Sequence, residues 1–311
     1  MKKPFLLIIP LLLAFSAFIL IFILTPHTIK KVIYIDSSER IVYDYLLTNK
    51  YKLKWWPNQT IQTHTSDSTK FSFHNQIFEF HATGFNAATV ILSNSSEGII
   101  TSKLLPKSIV EIVWEQHVQK TLNPIRMISI FMNAKKSQHE IDTLLNKFAR
   151  FAIKPKNIYT YDIQRSTVKD TILITTQRTL SSPPDPKLAS TLLASLQQYV
   201  KEKNAEPTNY PMLNITNTGY QTYVITVAIP IDKYIPPKDK MLVNRMIPGN
   251  ILYANVTGGH QSIQLAFDQL KNYMKDFKLT SPAIPFELMI TDRNLNPDSS
   301  KWQTKVYYPI F

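Results

Sequence analysis

The chain has 311 residues, enough for about two domains, and carries 35 Lys+Arg against 22 Asp+Glu, a net charge of +13. An apolar fraction of 44%, with 16 Phe and 15 Tyr, supports packed cores and excludes a disordered chain. The absence of Cys removes disulfides and thiolate metal sites. The lysines are spread out, with no zinc-finger spacing and no helix-turn-helix pattern, so the expected partners do not include nucleic acid.

Met1-Lys2-Lys3-Pro4 precedes an uncharged apolar run from Phe5 to Leu24. Twenty residues at about 1.5 Å each match a bilayer core of roughly 30 Å. The run lacks the small-residue cleavage site of a signal peptide, so residues 1–27 are expected to be an uncleaved transmembrane anchor with membrane lipid as its partner. The leading lysines place the N-terminus in the cytoplasm. That implies a single-pass protein of the inner membrane, with its remaining domains on the periplasmic, extracytoplasmic side.

Ile29–Ile35 reads as a strand, Asp36, Ser37 and Ser38 as helix-cap residues and Glu39–Leu47 as a helix with Ile41, Tyr45 and Leu46 on one face. Lys54-Trp55-Trp56-Pro57 follows. From Lys70 to Gln119, segments such as Phe71–Phe73, Ile77–His81, Ala88–Leu92, Gly98–Leu104 and Ser108–His117 alternate with period two, describing an antiparallel meander. Asn123-Pro124 is expected to interrupt it. Ser137-x-x-Glu140 reads as a capping box, opening a helix with Ile141, Leu144, Leu145, Phe148 and Phe151 on its apolar face. The order strand, capped helix, Trp-Trp-Pro loop resembles the START-like helix-grip family (SRPBCC, polyketide-cyclase-like). The resemblance implies, over residues 28–153, an antiparallel sheet gripping a long C-terminal helix around an apolar cavity. His64, His74, His81 and His117 fall on different elements and read as strand or surface residues.

Lys154–Asn157 reads as a linker, and a second domain spans 158–311. It contains a repeat, about 158–235 and 245–311. Leu196–Tyr199 matches Leu270–Tyr273, and Pro211-Met212-Leu213 matches Pro285-Phe286-Glu287, both at an offset of 74. Closing strands Tyr223–Ile231 and Thr304–Ile310 match at 79, so five residues are added in the second hairpin, around Asn294–Ser300. Asp185-Pro186 caps one helix, to about Lys203, and the other runs from His260 to Phe277. Each unit reads strand, helix, strand, strand, with a cleft between the two, a common place for a ligand. The expected fold class is α+β.

Ile247–Ala254, Gly258-Gly259-His260, Pro285-Phe286-Glu287 and Thr304–Ile310 carry a second resemblance, to the gyrase-inhibitor-like, AraC-type effector-binding domains. That resemblance implies a cleft with Glu287 at its base, facing a small hydrophobic or cationic ligand. Its aromatic walls would be Trp302, Tyr253 and Tyr308, with His260 where relatives carry Tyr. In the first repeat the matching residue is Leu213.

A carboxylate on an apolar strand is costly to bury unless compensated. A cationic ligand could compensate Glu287, and so could water at a strand edge or a basic side chain; strand aromatics also serve as plain core. Three functions follow: a membrane-anchored small-molecule-binding protein, a small-molecule hydrolase with Glu287 as general base helped by Tyr253 or His260, and an envelope scaffold. No cofactor or metal is expected.

Overall fold

The computed structural model describes residues 28–57, 61–65, 68–93, 96–119, 121, 123–169 and 172–311. The apolar run Phe5–Leu24, and the anchor read from it, lie outside these residues. Among the described residues, no helix is long and apolar enough to cross a membrane. The chain divides into two compact units between Lys154 and Pro155.

In the N-terminal unit, β1 (Thr28–Asp36) leads into α1 (Glu39–Val42), whose cap Ser38 accepts a hydrogen bond from Ile41 N. A π-helical turn, Tyr43–Leu47, continues it. Six strands then form a meander: β2 (Ile61–Thr65), β3 (Ser68–Phe73), β4 (Gln76–Gly84), β5 (Ala87–Leu92), β6 (Glu97–Leu105) and β7 (Ile109–His117). The sheet order is β1-β7-β6-β5-β4-β3-β2, every pair antiparallel. Its alternation shows directly in burial: Val110, Ile112, Trp114 and Gln116 of β7 point inward.

The long helix α2 runs Pro124–Ala152, so Ser137 and Glu140 sit in its interior and form no capping box. Asn123-Pro124, expected to interrupt the meander, follows its last strand and starts the helix. Asn123 Oδ1 accepts from Arg126 N at 3.3 Å, and Pro suits a first turn whose amide hydrogens lack helical partners. Ser137 accepts a hydrogen bond from Gln76 Nε2 at 2.7 Å. Ile141, Leu144, Leu145 and Phe148 are buried as their spacing predicts. Trp55 meets Phe148 at 5.1 Å between centroids and Trp56 meets Phe71 at 5.2 Å. The fully buried Lys52 lies among these rings, its Nζ donating to Leu46 O at 2.6 Å and standing 3.1 Å from the Phe80 centroid.

The C-terminal unit is an eight-stranded antiparallel sheet with two long helices. Its strands are β8 (Gln164–Thr167), β9 (Ile172–Leu180), β10 (Met212–Asn217), β11 (Tyr223–Pro230), β12 (Met241–Arg245), β13 (Asn250–Thr257), β14 (Phe286–Met289) and β15 (Gln303–Ile310). Helix α3 (Pro186–Glu202) follows β9 and α4 (His260–Asp276) follows β13. Asp185 caps α3, its Oδ1 accepting from Lys187 N at 2.8 Å.

The order β12-β9-β11-β10-β14-β15-β13-β8 reads the same from either end once the repeats are equated. The pseudo-twofold axis passes between β10 and β14, where Leu213 pairs with Glu287 and Met212 with Leu288. Each repeat has one strand more than expected. The leading strands β8 and β12 are exchanged, β8 pairing with β13 and β12 with β9. Both helices cover one face. Leu192, Leu196, Tyr199 and Val200 of α3 pack on Ile174, Leu213, Ile225, Val227 and Ile229. On the second face Leu173, Met212, Ala228 and Leu288 form a smaller cluster flanked by Met246, Phe286 and Tyr307.

Candidate functional site

Glu287 lies on the second of the inner strands, where the repeats meet, 7% exposed. Strand alternation sets its direction. Glu287 is opposite Leu213, a member of the helix-side core, so its carboxylate is on the helix-bearing face. Its neighbour on β15 is Val306, fully buried.

The carboxylate is compensated from within the chain. Arg293 Nη2 donates to Glu287 Oε2 at 2.7 Å and Nη1 to Oε1 at 3.4 Å, a two-pronged contact. Nη2 also reaches Thr304 Oγ1 at 3.3 Å. The guanidinium carbon stands 4.7 Å from the Trp302 ring centroid, within cation–π range. Trp302 is held in turn by its Nε1, which donates to Asn296 O at 2.7 Å. Arg293 Nε is buried without a hydrogen-bond partner.

Arg293, Asn296 and Trp302 all belong to the connection between β14 and β15, the lengthened hairpin of the second repeat. The first repeat has no carboxylate at Leu213, and its β10–β11 connection is a short turn through Gly219 at φ +91°. The lengthened hairpin thus carries the cation that the carboxylate of its repeat requires.

The same hairpin docks on the start of α4. Gly258 N donates to Trp302 O at 2.9 Å. Gly258 has φ +130°, and a Cβ there would meet Ser262. At Gly259 a Cβ would stand 3.0 Å from Ser299 Oγ, so this glycine permits the close approach. His260, the first residue of α4, is exposed beside this junction. Tyr308 is on the helix-side face, its ring 6.2 Å from that of Phe267, and burial followed by the Asp268 charge raises its hydroxyl pKa.

Tyr253 is placed elsewhere. It pairs with Tyr307, not Tyr308, and therefore faces the second side of the sheet. There it lines a pocket of roughly 310 Å³ with Met212, Phe286, Leu288, Lys305 and Tyr307. Glu287 and Tyr253 do not converge, so no acid–base pair forms between them. Sequence reasoning missed Arg293; the signal available was an inserted hairpin carrying an arginine beside the lone carboxylate strand. Among the described residues, no cluster of His, Asp and Glu could hold a metal ion.

No family model and no curated protein matches this chain. Several solved structures are distantly similar. The EcmrR C-terminal domain matches over 98% of its own length and 49% of this chain, at 13% identity and a TM-score of 0.43. SAV2435, solved bound to tetraphenylphosphonium, matches over 93% of its length and 48% of this chain, at 12% identity and a TM-score of 0.34. The Aha1 dimer from Colwellia psychrerythraea matches over 96% of its length and 40% of this chain, at 14% identity and a TM-score of 0.32.

Proposed function

We propose that this chain is a membrane-anchored small-molecule-binding protein whose C-terminal unit takes planar, cationic or aromatic ligands at Glu287. One observation carries the reading: the site already holds a planar cation, the chain's own Arg293 guanidinium. It is bound two-pronged to the carboxylate and stands over the Trp302 ring. A flat organic cation would find the same partners. The carboxylate supplies charge at low local dielectric and the indole about 0.5–2 kcal/mol of cation–π attraction. The ligand would have to displace Arg293, which sits on a hairpin and not on the sheet. Anchoring in the inner membrane, with both units on the periplasmic side, is proposed from the apolar run Phe5–Leu24 and the lysines before it.

The test is equilibrium binding of a triarylmethane cationic dye to the full-length chain in lipid nanodiscs. Glu287→Gln should weaken binding. Arg293→Ala should strengthen it by about tenfold, since the internal competitor is gone. Unchanged affinity in both variants would overturn the reading.

A further inference from the structure

The pocket on the other face of the C-terminal sheet has the opposite electrostatic character. We infer that it is a second ligand site, one that takes a small amphipathic anion, an aromatic or aliphatic carboxylate. This site shares no residue with the Glu287 centre, and the inference does not depend on the function proposed there.

The walls come from one end of the sheet. Tyr253 on β13, Tyr307 on β15 and Phe286 on β14 form a ladder of rings across three strands. The Tyr253 and Tyr307 centroids are 5.8 Å apart, and Phe286 stacks on Tyr307 at 5.1 Å with 20° between planes. Met212 and Leu288 supply the apolar floor. Two cations flank the rings. Lys305 stands 5.4 Å from the Tyr253 centroid, and Lys169 lies on the rim. Among the described residues, the lining includes no acidic side chain. Neither lysine has a salt bridge among the described residues. A volume of roughly 310 Å³ is at the small end of ligand pockets. Rings for an apolar body, with the Lys305 ammonium beside Tyr253 and Ser166 and Thr167 also in the lining, fit a compact molecule with one negative end.

The first repeat serves as an internal control. Register equates Tyr253–Tyr307 with Thr175–Ala228, each pair lying directly opposite on matching strands. By the same equivalence Lys305 corresponds to Thr226. The sheet therefore forms at these positions with Thr, Ala and Thr. The aromatic and cationic set in the second repeat exceeds what the fold requires, and a ligand gives it a use.

The experiment is isothermal titration of the full-length chain in zwitterionic nanodiscs, with empty discs as blank. The probe is naphthalene-2-carboxylate, and 2-naphthylmethylammonium is its charge-reversed counterpart. In Glu287→Gln, where the proposed cation centre is disabled, the carboxylate should bind and the ammonium should not. Lys305→Thr should weaken carboxylate binding about tenfold and Tyr307→Ala by a similar factor. Both variants install the residue the first repeat already tolerates, so the sheet should stay folded, as circular dichroism would verify. Glu287→Gln should leave carboxylate binding unchanged while weakening binding of the cationic dye, which separates the two sites. The inference is overturned by absence of carboxylate binding at millimolar concentration, by equal binding of the ammonium in Glu287→Gln, by full affinity in Lys305→Thr, or by loss of carboxylate binding in Glu287→Gln.

Discussion

Removing Arg293 while keeping Glu287 should expose how the pseudo-twofold centre is held. The carboxylate side chain is 10% exposed and that of Arg293 19%. Arg293→Ala deletes contacts of 2.7 and 3.4 Å to Glu287, the contact to Thr304 Oγ1, and the packing over Trp302. Breaking a buried pair by truncating one member costs about 3–5 kcal/mol, because the remaining charge is left without a partner. Residual exposure of Glu287 puts the expectation at the lower edge, about 3 kcal/mol. The double variant Glu287→Leu/Arg293→Ala removes the orphan charge and installs the residue the first repeat holds at Leu213. It should recover most of the loss. Urea unfolding of the full-length chain followed by Trp302 emission in a Trp55/Trp56/Trp114→Phe background reads the C-terminal unit alone. A single-variant cost below about 1 kcal/mol, or a double variant as unstable as the single, would refute the view that Arg293 compensates a buried charge.

Two further predictions concern the N-terminal unit. Burial holds the Lys52 ammonium well below its ordinary value of 10.5. Between that depressed value and 10.5 the unfolded chain binds one more proton than the folded one. Stability therefore rises with pH, by up to about 1.4 kcal/mol per unit, and is lost as pH falls toward the folded value. Lys52→Met should flatten this slope and raise the urea midpoint at neutral pH; an unchanged slope between pH 8 and 10 would count against it. Gly98 on β6 pairs with Gln116 on β7, and a Cβ there would stand 2.5 Å from Glu115 O and collide with the Gln116 amide. Gly98→Ala should cost about 1–3 kcal/mol and disturb the Gln116 amide that accepts from Trp114 Nε1 at 3.0 Å, visible as a shift in tryptophan emission. Wild-type stability in that variant would show that the two strands have slack.

What could be read from sequence was whatever is local or periodic. The cap at Asp185, the period-two strands and the apolar face of α2 all depend on neighbours within a few residues. The repeat was legible because two prolines and a helix phase recur at a fixed offset. Register was not. Tyr253 and Tyr308 both read as walls of one cleft, yet a pairing of 253 with 307 sends them to opposite faces, and one residue of slip decides it. The exchange of β8 and β12 was invisible for a related reason: Gln164–Thr167 is short and mostly exposed, and only its partner strand makes it a strand. The start of α2 was missed because Asn123-Pro124 signals a turn and a helix N-terminus equally well.

The duplicated architecture also says where function should be sought. Positions equivalent in the two repeats face the same demands from the sheet, so a residue class shared by both halves reports folding. Ile174 and Leu252, on the equivalent strands β9 and β13, are both fully buried aliphatic side chains. Departures from the symmetry report something else. Glu287 replaces the apolar Leu213 and comes with a lengthened hairpin that supplies Arg293 and Trp302. Tyr253, Lys305 and Tyr307 stand where the first repeat has Thr175, Thr226 and Ala228. These departures fall in the second repeat, on β13, β14 and β15, and they serve both faces of the same three strands. A carboxylate held by an internal cation on one face and an aromatic pocket with Lys305 on the other are unneeded for a sheet that the first repeat completes without them. Selection for stability alone would favour the simpler half twice over, since a buried ion pair replaced by packed apolar residues is often neutral or stabilising. The chain retains the costlier half, and that is the physical reason we propose ligand recognition there.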